Sequence, residues 1–407
     1  MIARGPSHLA AGGGWALASV AVALASGFLR TILIAHVLGP ADIGVMGIAL
    51  LALGFVESVA STGVDTALVA VREDVEHYID PAFTIQLARG SAVMVLLWLA
   101  APAIAWAFHT AAATSVIRAV GVVAVLRGLA NPAIALALRR LDFQRVFWWS
   151  LPEAVTAVAV TVPLAFGRRD VWALVAGAVA AQAAATIASY GLVRRIPRIV
   201  FARTRIRHLL QFGRFVSGSR ALMYFSVYVD AAIVGMTMGT HTLGLYQFAS
   251  RIAELPVVTF TRAIAQVALP AAGGLHGTPL RDVWRTLAAW VLAVNGAAAA
   301  VIVVCGRVVV DAIAGAQWID AVPLMQTLAF AMLFRAIVVL SGQLLDGAGR
   351  PRLTLRLNAV RLATLVVLLV PLAAWGGGAA AVAWGVLIAN AGAALYALRL
   401  SSHAVNG

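Results

Sequence analysis

The chain has 407 residues, of which 62% are hydrophobic and 11% are charged, and its formal net charge is +14. Soluble domains are typically about 45–50% apolar and about 25% charged, so this composition excludes a soluble fold and predicts a membrane protein. All 30 basic residues are arginine. In a membrane protein such an excess is typical of cytoplasmic loops rather than of nucleic-acid binding, and we expect no nucleic-acid partner.

Apolar runs of roughly 20 residues, bounded by charged residues, Gly and Pro, predict an all-α polytopic membrane protein of about twelve transmembrane helices. The first run begins at Trp15, contains Arg30, and is too long for the apolar part of a signal peptide. The predicted spans are 13–38, 42–69, 83–108, 113–137, 148–167, 171–193, 208–238, 243–269, 285–312, 320–345, 354–376 and 378–398.

The distribution of arginine between the loops predicts the orientation of the chain. With the N-terminus inside, the predicted outside loops hold only Arg168 and Arg169, whereas the predicted inside segments hold seventeen arginines, most densely at 194–207. Cytoplasmic loops carry the excess of basic residues in membrane proteins. We therefore expect both termini to be cytoplasmic.

The two halves of the chain resemble each other. At an offset of 200 residues, Leu38-Gly39 aligns with Met238-Gly239, and at an offset of 208 the segment around Arg127 aligns with the segment around Arg335. Two halves of six helices enter from the same side and form a parallel repeat. This predicts an N-terminal six-helix lobe at 1–193, a basic cytoplasmic linker at 194–207 and a C-terminal six-helix lobe at 208–407.

Several motifs in this order resemble bacterial oligosaccharide and polysaccharide flippases of the Wzx type. They are LRTILIAHVLGPADIG at 29–44, LALRRLDFQR at 136–145, DAAIVGMTMGTHTLGLYQFASRIAELP at 230–256 and GRPR at 349–352. The resemblance covers nearly the whole chain. It implies the fold of the multidrug/oligosaccharidyl-lipid/polysaccharide exporter superfamily, in which two six-helix lobes surround a central cavity. Many relatives carry two further helices, whereas about twelve helices are expected in this sequence.

The resemblance also implies a function and a location. Such proteins translocate glycans linked to polyprenyl pyrophosphate across the bacterial inner membrane by alternating access, for surface polysaccharide biosynthesis. The implied partners are that lipid-linked glycan, membrane lipids, and a polysaccharide polymerase with glycosyltransferases. The single Cys305 and the scattered histidines match no metal-ligand spacing, and the sequence contains no phosphate-binding Walker loop, so we expect no metal, cofactor or catalytic residue.

Charged residues inside the predicted spans are the candidate functional residues, because an ionisable group in hydrocarbon must face a cavity or a partner. Arginine offers a planar fork of donors that suits a pyrophosphate. The candidates for substrate binding are Arg30, Arg127, Arg220, Arg251 and Arg335. The candidates for ion coupling or ion pairing are Glu57, Asp230 and Glu254. Four arginines nearer the span ends, namely Arg89, Arg214, Arg307 and Arg361, are expected to extend to the membrane interface.

A structural role for the same residues is the alternative interpretation. Arg251 and Glu254 are spaced to pair along one helix, and Glu57–Arg127 or Glu254–Arg335 would pair between the second and fourth helices of each half. Other functions remain open as well: a drug or metabolite antiporter of the same superfamily, or a peptidoglycan-precursor flippase. A membrane glycosyltransferase is disfavoured, because such enzymes carry their catalytic acids on long loops and the predicted loops here are short.

Overall fold

A computed structural model describes residues 6–70, 75–140, 142–193, 195–261, 278–347 and 350–406. Within these ranges the chain is mostly helical and contains no β-strand, which confirms the predicted all-α class. The α-helices are α1 Pro6–Ala35, α2 Pro40–Val59, α3 Val64–Ala70, α4 Ile79–Ala107, α5 Ala113–Leu129, α6 Ile134–Arg139, α7 Phe143–Arg168, α8 Val171–Leu192, α9 Arg203–Pro256, α10 Thr278–Ala314, α11 Ala321–Gly347, α12 Pro351–Ala374 and α13 Gly378–Asn406. A 3₁₀ turn at Val75–Tyr78, a π-helical turn at Val257–Thr261 and a 3₁₀ turn at Ala316–Trp318 adjoin α4, α9 and α11.

Two predicted spans are broken where the sequence interpretation made them continuous. The predicted span 42–69 divides into α2 and α3 at Gly63, whose φ of 60° is a conformation that favours glycine. The predicted span 113–137 divides into α5 and α6 at Asn131-Pro132, because proline lacks the N–H that a continuous helix needs and disfavours helical geometry in the residue before it.

Ten helices in the described residues are long and apolar enough to cross a membrane. The expected number was about twelve, and two helices account for the difference. α5 has only 17 residues, at the lower limit for a span. α9 has 54 residues and consists of two helices that meet at Gly239, where φ is 81° and ψ is 179°.

The chain divides into two compact units, Met1–Ala221 and Leu222–Gly407. In the first unit, α4 packs along α5, α7 packs along α8 and α1, and α5 also contacts α2 and α8. Gly90 and Gly128 bring α4 and α5 very close, since a Cβ at Gly128 would lie 2.6 Å from the backbone oxygen of Gln86. Small residues permit such close approach in membrane helices.

In the second unit, α11 is the central helix and packs against α10, α12 and α13. The Trp318 side chain, next to the start of α11, is fully buried, and its ring lies 4.5 Å from the ring of Phe248 on α9. The predicted lobe boundaries at 193 and 208 stay a prediction, because they rest on the sequence repeat and the basic linker alone.

Candidate functional site

The first unit contains a cavity of about 310 Å³. Its wall is formed by α1, α2, α5, α7 and α8, and small side chains on α1, α7 and α8 leave the space open. The polar part of the wall contains Arg30, Arg127, Glu153 and Gln182. The complete lining consists of Ala23, Ser26, Gly27, Arg30, Leu50, Leu53, Val123, Arg127, Ser150, Glu153, Ala154, Ala157, Ala178, Ala181 and Gln182.

Arg127 joins three helices at this cavity. Its Nη1 donates to Oε2 of Glu57 on α2 at 2.5 Å, and its Nε donates to Oε1 of Gln182 on α8 at 3.0 Å. The Arg127 side chain is 44% exposed to solvent, whereas the Glu57 side chain is 17% exposed. A guanidinium has five N–H donors. Arg127 therefore has its direction fixed by two partners while part of its fork faces accessible space.

Arg30 and Glu153 line the same cavity as Arg127, so the structure brings together two of the five predicted substrate-binding arginines. Two arginines and one glutamate give the wall a formal charge of +1, and Glu57 lies behind Arg127 with a compensating charge. The cavity is thus polar and arginine-bearing, but it is not strongly cationic. Glu153 was not among the predicted site residues.

Arg220, near the end of the first unit, contacts the break between α2 and α3. Its Nη1 donates to Oγ of Ser61 at 3.3 Å and its Nη2 donates to Oγ1 of Thr66 at 3.1 Å. Hydroxyl groups carry no charge, so these two contacts orient the exposed guanidinium without neutralising it. Arg220 does not line the cavity of the first unit, and neither does Arg251, which is exposed on α9.

The second unit contains a partly buried ion pair between α9 and α11. Nη1 of Arg335 lies 3.2 Å from Oε1 of Glu254, and the two side chains keep 8% and 29% of their exposure. Arg127–Glu57 and Arg335–Glu254 are the two pairs expected under the structural interpretation, and the structure contains both. Glu254 therefore reaches across to Arg335 on α11.

The expectation that Arg361 extends to the membrane interface is wrong. Arg361 on α12 keeps only 5% of its exposure. Its Nε donates to Oδ1 of Asn390 on α13 and its Nη1 donates to Oγ of Ser226 on α9, each at 2.8 Å. The guanidinium points into the second unit because two polar side chains there accept its hydrogen bonds.

Asp230 completes this charged cluster of the second unit. Its Oδ2 accepts a hydrogen bond from the hydroxyl of Tyr246 at 2.7 Å, and its Oδ1 accepts one from the backbone N–H of Ala231 at 2.8 Å. Arg361 and Arg335 act electrostatically on Asp230, and Arg361 also interacts with Glu254. Two arginines and two acids thus balance each other within one helical unit.

Sequence reasoning missed Arg361, Asn390, Ser226 and Tyr246 as members of this cluster. One signal was available for Arg361, which lies nine residues inside the apolar helix Arg352–Ala374, about 13 Å from its start. The partners gave no signal, because single polar residues in apolar helices are common packing groups.

These features define a class of protein. In the part of the chain that the structure describes, ten helices are long and apolar enough to cross a membrane, ionisable side chains lie inside two helical units, and one unit holds a polar cavity. These features are typical of a polytopic membrane transporter. The sequence profile of the family described as "Polysaccharide biosynthesis protein" matches residues 33–323, more than two thirds of the chain. The chain belongs to this family.

Curated relatives have names that agree with the family. The chain is 23% identical over 260 residues to the succinoglycan biosynthesis transport protein ExoT of Rhizobium meliloti, covering 64% of this chain and 53% of that protein. It is 19% identical over 385 residues to the lipopolysaccharide biosynthesis protein WzxC of Escherichia coli, covering 93% and 77%. The chain spans about half of ExoT and 62% of the Bacillus subtilis teichuronic acid biosynthesis protein TuaB.

Solved structures show the same fold. The lipid II flippase MurJ in an inward closed conformation superposes with a TM-score of 0.78 at 13% identity, covering 95% of this chain and 87% of that chain. An inward-facing multidrug resistance MATE transporter of the MOP superfamily gives a TM-score of 0.72 at 16% identity, covering 96% and 98%. The expected fold is thereby confirmed, and the resemblance to Wzx-type proteins is confirmed by the family match and the relative WzxC.

Proposed function

We propose that this protein flips oligosaccharides linked to polyprenyl pyrophosphate across the bacterial inner membrane by alternating access. The family match and the relatives named for succinoglycan and lipopolysaccharide biosynthesis support a passenger of this class. The observation that carries the proposal at the residue level is the pair Arg30 and Arg127 in the cavity of the first unit.

The pyrophosphate is the part of the passenger that needs these arginines. Each guanidinium donates several charge-assisted hydrogen bonds in a fixed plane, which matches the oxygens of a pyrophosphate. A cavity of about 310 Å³ is of the size of small-ligand sites and is too small for a lipid-linked oligosaccharide as a whole. The site therefore receives the charged head group, while the polyprenyl tail stays in the bilayer.

The surroundings of the five predicted arginines separate those that we assign to the substrate from one that we assign to helix packing. Arg30 and Arg127 line a cavity, and Arg220 is exposed with neutral partners, so these three are the proposed contacts to pyrophosphate. Arg251, exposed on α9, is a further candidate. Arg335 is buried against Glu254, and we assign it to holding α9 and α11 together rather than to the substrate.

We propose that both termini are cytoplasmic, that the lobes correspond to residues 1–193 and 208–407, and that the protein carries out no catalytic step of its own. A polymerase and glycosyltransferases would supply and consume the passenger. A drug antiporter would use free acids in the N-terminal unit to bind cations. Glu153 shares its cavity wall with two arginines, which leaves a formal charge of +1, and Glu57 in that unit is paired with Arg127. This pairing favours the anionic passenger.

The test uses full-length protein in liposomes that contain a fluorescent oligosaccharide on a short polyprenyl pyrophosphate. Flipping is measured as the fraction of glycan that an added, impermeant glycosidase can cleave. Arg30→Ala, Arg127→Ala and Arg220→Ala should each lower the flipping rate about tenfold or more, since losing a charge-assisted hydrogen bond costs about 1.5–3 kcal/mol. The matching Lys variants should retain partial activity.

Arg356→Ala is the matched control, because Arg356 is an exposed arginine on α12 outside the cavity. Its rate should equal that of the unchanged protein. All rates are normalised to folded protein in the liposomes, which separates transport from stability. If all three Ala variants flip the glycan at the normal rate, the proposed arginine site is wrong. If the protein without substitutions does not flip the glycan, the proposed function is wrong.

A further inference from the structure

The segment 195–202 joins α8 to α9 without helical structure, yet it is firmly attached to the first unit. We name this segment the strap. The carboxylate of Asp80 on α4 accepts hydrogen bonds from Nη2 of Arg195 and from the backbone N–H of Arg198, each at 3.2 Å. Oγ1 of Thr84 accepts from the backbone N–H of Val200 at 2.9 Å. These contacts fix the strap across the first turns of α4.

The rest of the strap is anchored from neighbouring elements. Nδ2 of Asn131 donates to the carbonyl oxygen of Arg195 at 2.7 Å. Just after the strap, the ring of His208 lies 5.8 Å from the ring of Tyr78, and Leu209 is buried in the core beside it. The strap is therefore held at both ends, and three hydrogen bonds position its backbone.

A firmly held segment normally buries its apolar side chains, but the strap exposes them. Ile196, Ile199 and Phe201 keep 78%, 58% and 80% of their exposure, whereas Pro197 between them is buried. Val200 is exposed as well, so residues 198–201 form a continuous exposed run whose apolar members make an edge directed away from the protein. An exposed apolar group on a rigid support indicates a surface that something apolar covers.

The position of the strap relative to the membrane indicates what covers its exposed apolar side chains. The strap begins three residues after the membrane-crossing helix Val171–Leu192 ends, and it is bonded to the start of the membrane-crossing stretch Val75–Ala107. It therefore lies at one face of the bilayer. Non-helical backbone is not tolerated against hydrocarbon. The strap must consequently lie at the level of the lipid headgroups.

The charges around the apolar edge select the kind of lipid. Arg198, Arg203, Arg205 and Arg207 are all exposed, and the sequence from 194 to 211 contains no acidic residue. Apolar side chains next to a basic cluster are the pattern of peptides that lie in an anionic membrane interface. The arginine distribution places this face on the cytoplasmic side.

We propose that the strap is an interfacial anchor, in which Ile196, Ile199 and Phe201 insert into the cytoplasmic leaflet and the arginines at 198, 203, 205 and 207 bind anionic phospholipid headgroups. The occupant is the bilayer that the protein itself spans. The anchor fixes the connection between α8 and α9 to that leaflet. It does not depend on which substrate the protein transports.

Spin labels on the full-length protein test the insertion. In a Cys305→Ser background, Ile199→Cys, Phe201→Cys and Arg203→Cys are labelled and reconstituted in phosphatidylglycerol–phosphatidylcholine liposomes. The ratio of collisions with oxygen to collisions with a water-soluble nickel chelate reports depth. The ratio should be several-fold higher at positions 199 and 201 than at position 203. Equal ratios at the three positions would overturn the insertion, and low accessibility to both reagents at 199 and 201 would show a protein partner instead.

A lipid titration tests the headgroup preference. The melting temperature of the protein in neutral detergent is measured while phosphatidylglycerol or phosphatidylcholine is added. We expect phosphatidylglycerol to raise the melting temperature more, and this difference should shrink in Arg203→Gln/Arg207→Gln. The control Arg352→Gln/Arg356→Gln removes two exposed arginines from α12 and should keep the full difference. Equal responses of the unchanged protein to both lipids would overturn the anionic preference.

Discussion

At the scale of single residues, the buried arginines of the second unit differ in how their charge is compensated. Arg335 is paired directly with Glu254, whereas Arg361 donates to the neutral side chains of Asn390 and Ser226 and interacts with Asp230 over a longer distance. An unpaired buried charge is costly, and a pair is tolerated because each member lowers the cost of the other. The two arginines should therefore respond differently to substitution.

Removing one member of the Arg335–Glu254 pair should destabilise the protein more than removing both. Breaking a buried ion pair typically costs about 3–5 kcal/mol, and we expect the lower end because Glu254 keeps 29% of its exposure. Arg335→Met alone should lower the melting temperature in detergent clearly, and Arg335→Met/Glu254→Gln should recover most of the loss. Arg356→Met, at an exposed position of α12, serves as the control. Strictly additive losses would contradict the pairing.

Arg361→Lys should destabilise the protein even though it keeps the positive charge. The guanidinium reaches Asn390 with Nε and Ser226 with Nη1, and a single ammonium group cannot reproduce this divergent geometry. The loss of one such hydrogen bond should cost about 1–2 kcal/mol, measured by chemical unfolding in detergent. Arg356→Lys should be neutral, and an equally neutral Arg361→Lys would show that charge alone matters at this position.

The sequence could identify which residues were under physical constraint, but not which partner satisfied each of them. Depth in an apolar span singled out Arg127 and Arg335, and also the acids Glu57 and Glu254, which were expected to pair with them between the second and fourth helices of each half. Arg361 was misjudged because its partners lie 135 and 29 residues away and are neutral. A hydropathy pattern contains no information on such contacts.

At the scale of elements, α9 cannot be one straight helix. Sixteen residues separate Asp230 from Tyr246, which would place them about 24 Å apart along a helix axis. Their side chains are hydrogen-bonded at 2.7 Å. The chain must therefore reverse between them, at Gly239, to give two antiparallel helices at 203–238 and 240–256.

Gly239→Ala should destabilise this reversal through the backbone alone. Gly239 has φ 81° and ψ 179°, a conformation open almost only to glycine, and no atom within 4 Å would meet a new Cβ. The expected cost is about 1–3 kcal/mol, seen as a lower melting temperature. Gly218→Ala in the same element, also without neighbours but in helical geometry, should be neutral or stabilising. Equal effects of the two substitutions would contradict this assignment.

The sequence predicted most helices but not all their ends. Long apolar runs identify spans well, because the membrane imposes length and composition together. The short helices α3 and α6 were absorbed into longer spans, although Gly63 and Asn131-Pro132 were visible signals for the breaks. Because hydropathy remains high across both breaks, the prediction of continuous spans followed hydropathy and not the turn residues.

At the scale of the whole molecule, one contact bears on the number of crossings. Asp80 at the start of α4 and Arg195 after α8 are 3.2 Å apart, so both lie at the same face of the membrane. An even number of crossings must therefore separate them. Helices α4, α7 and α8 supply three, and α6 is too short at six residues. The fourth must be α5, which extends about 25 Å and suits a locally thinned bilayer.

Counting α5 as a crossing and α9 as two accounts for the difference between ten and twelve spans. With six crossings before Arg203, that residue lies on the same side as the N-terminus and opposite to Ala41, which follows the first crossing. Without α5 only five crossings would precede Arg203, and it would share the side of Ala41. The orientation and the number of spans are therefore tested by the same two positions.

Single cysteines at these positions give the final prediction. In a Cys305→Ser background, Ala41→Cys should react with an impermeant maleimide added to intact cells, because Ala41 is exposed in the first turn of α2 on the predicted outside. Arg203→Cys should react only after the cells are permeabilised, since six crossings put it on the side of the N-terminus, which the distribution of arginine predicts to be inside. Labelling of both from outside would mean that α5 does not cross. The opposite pattern, with only Arg203→Cys labelled in intact cells, would keep the twelve crossings and reverse the orientation, moving the strap to the outer leaflet.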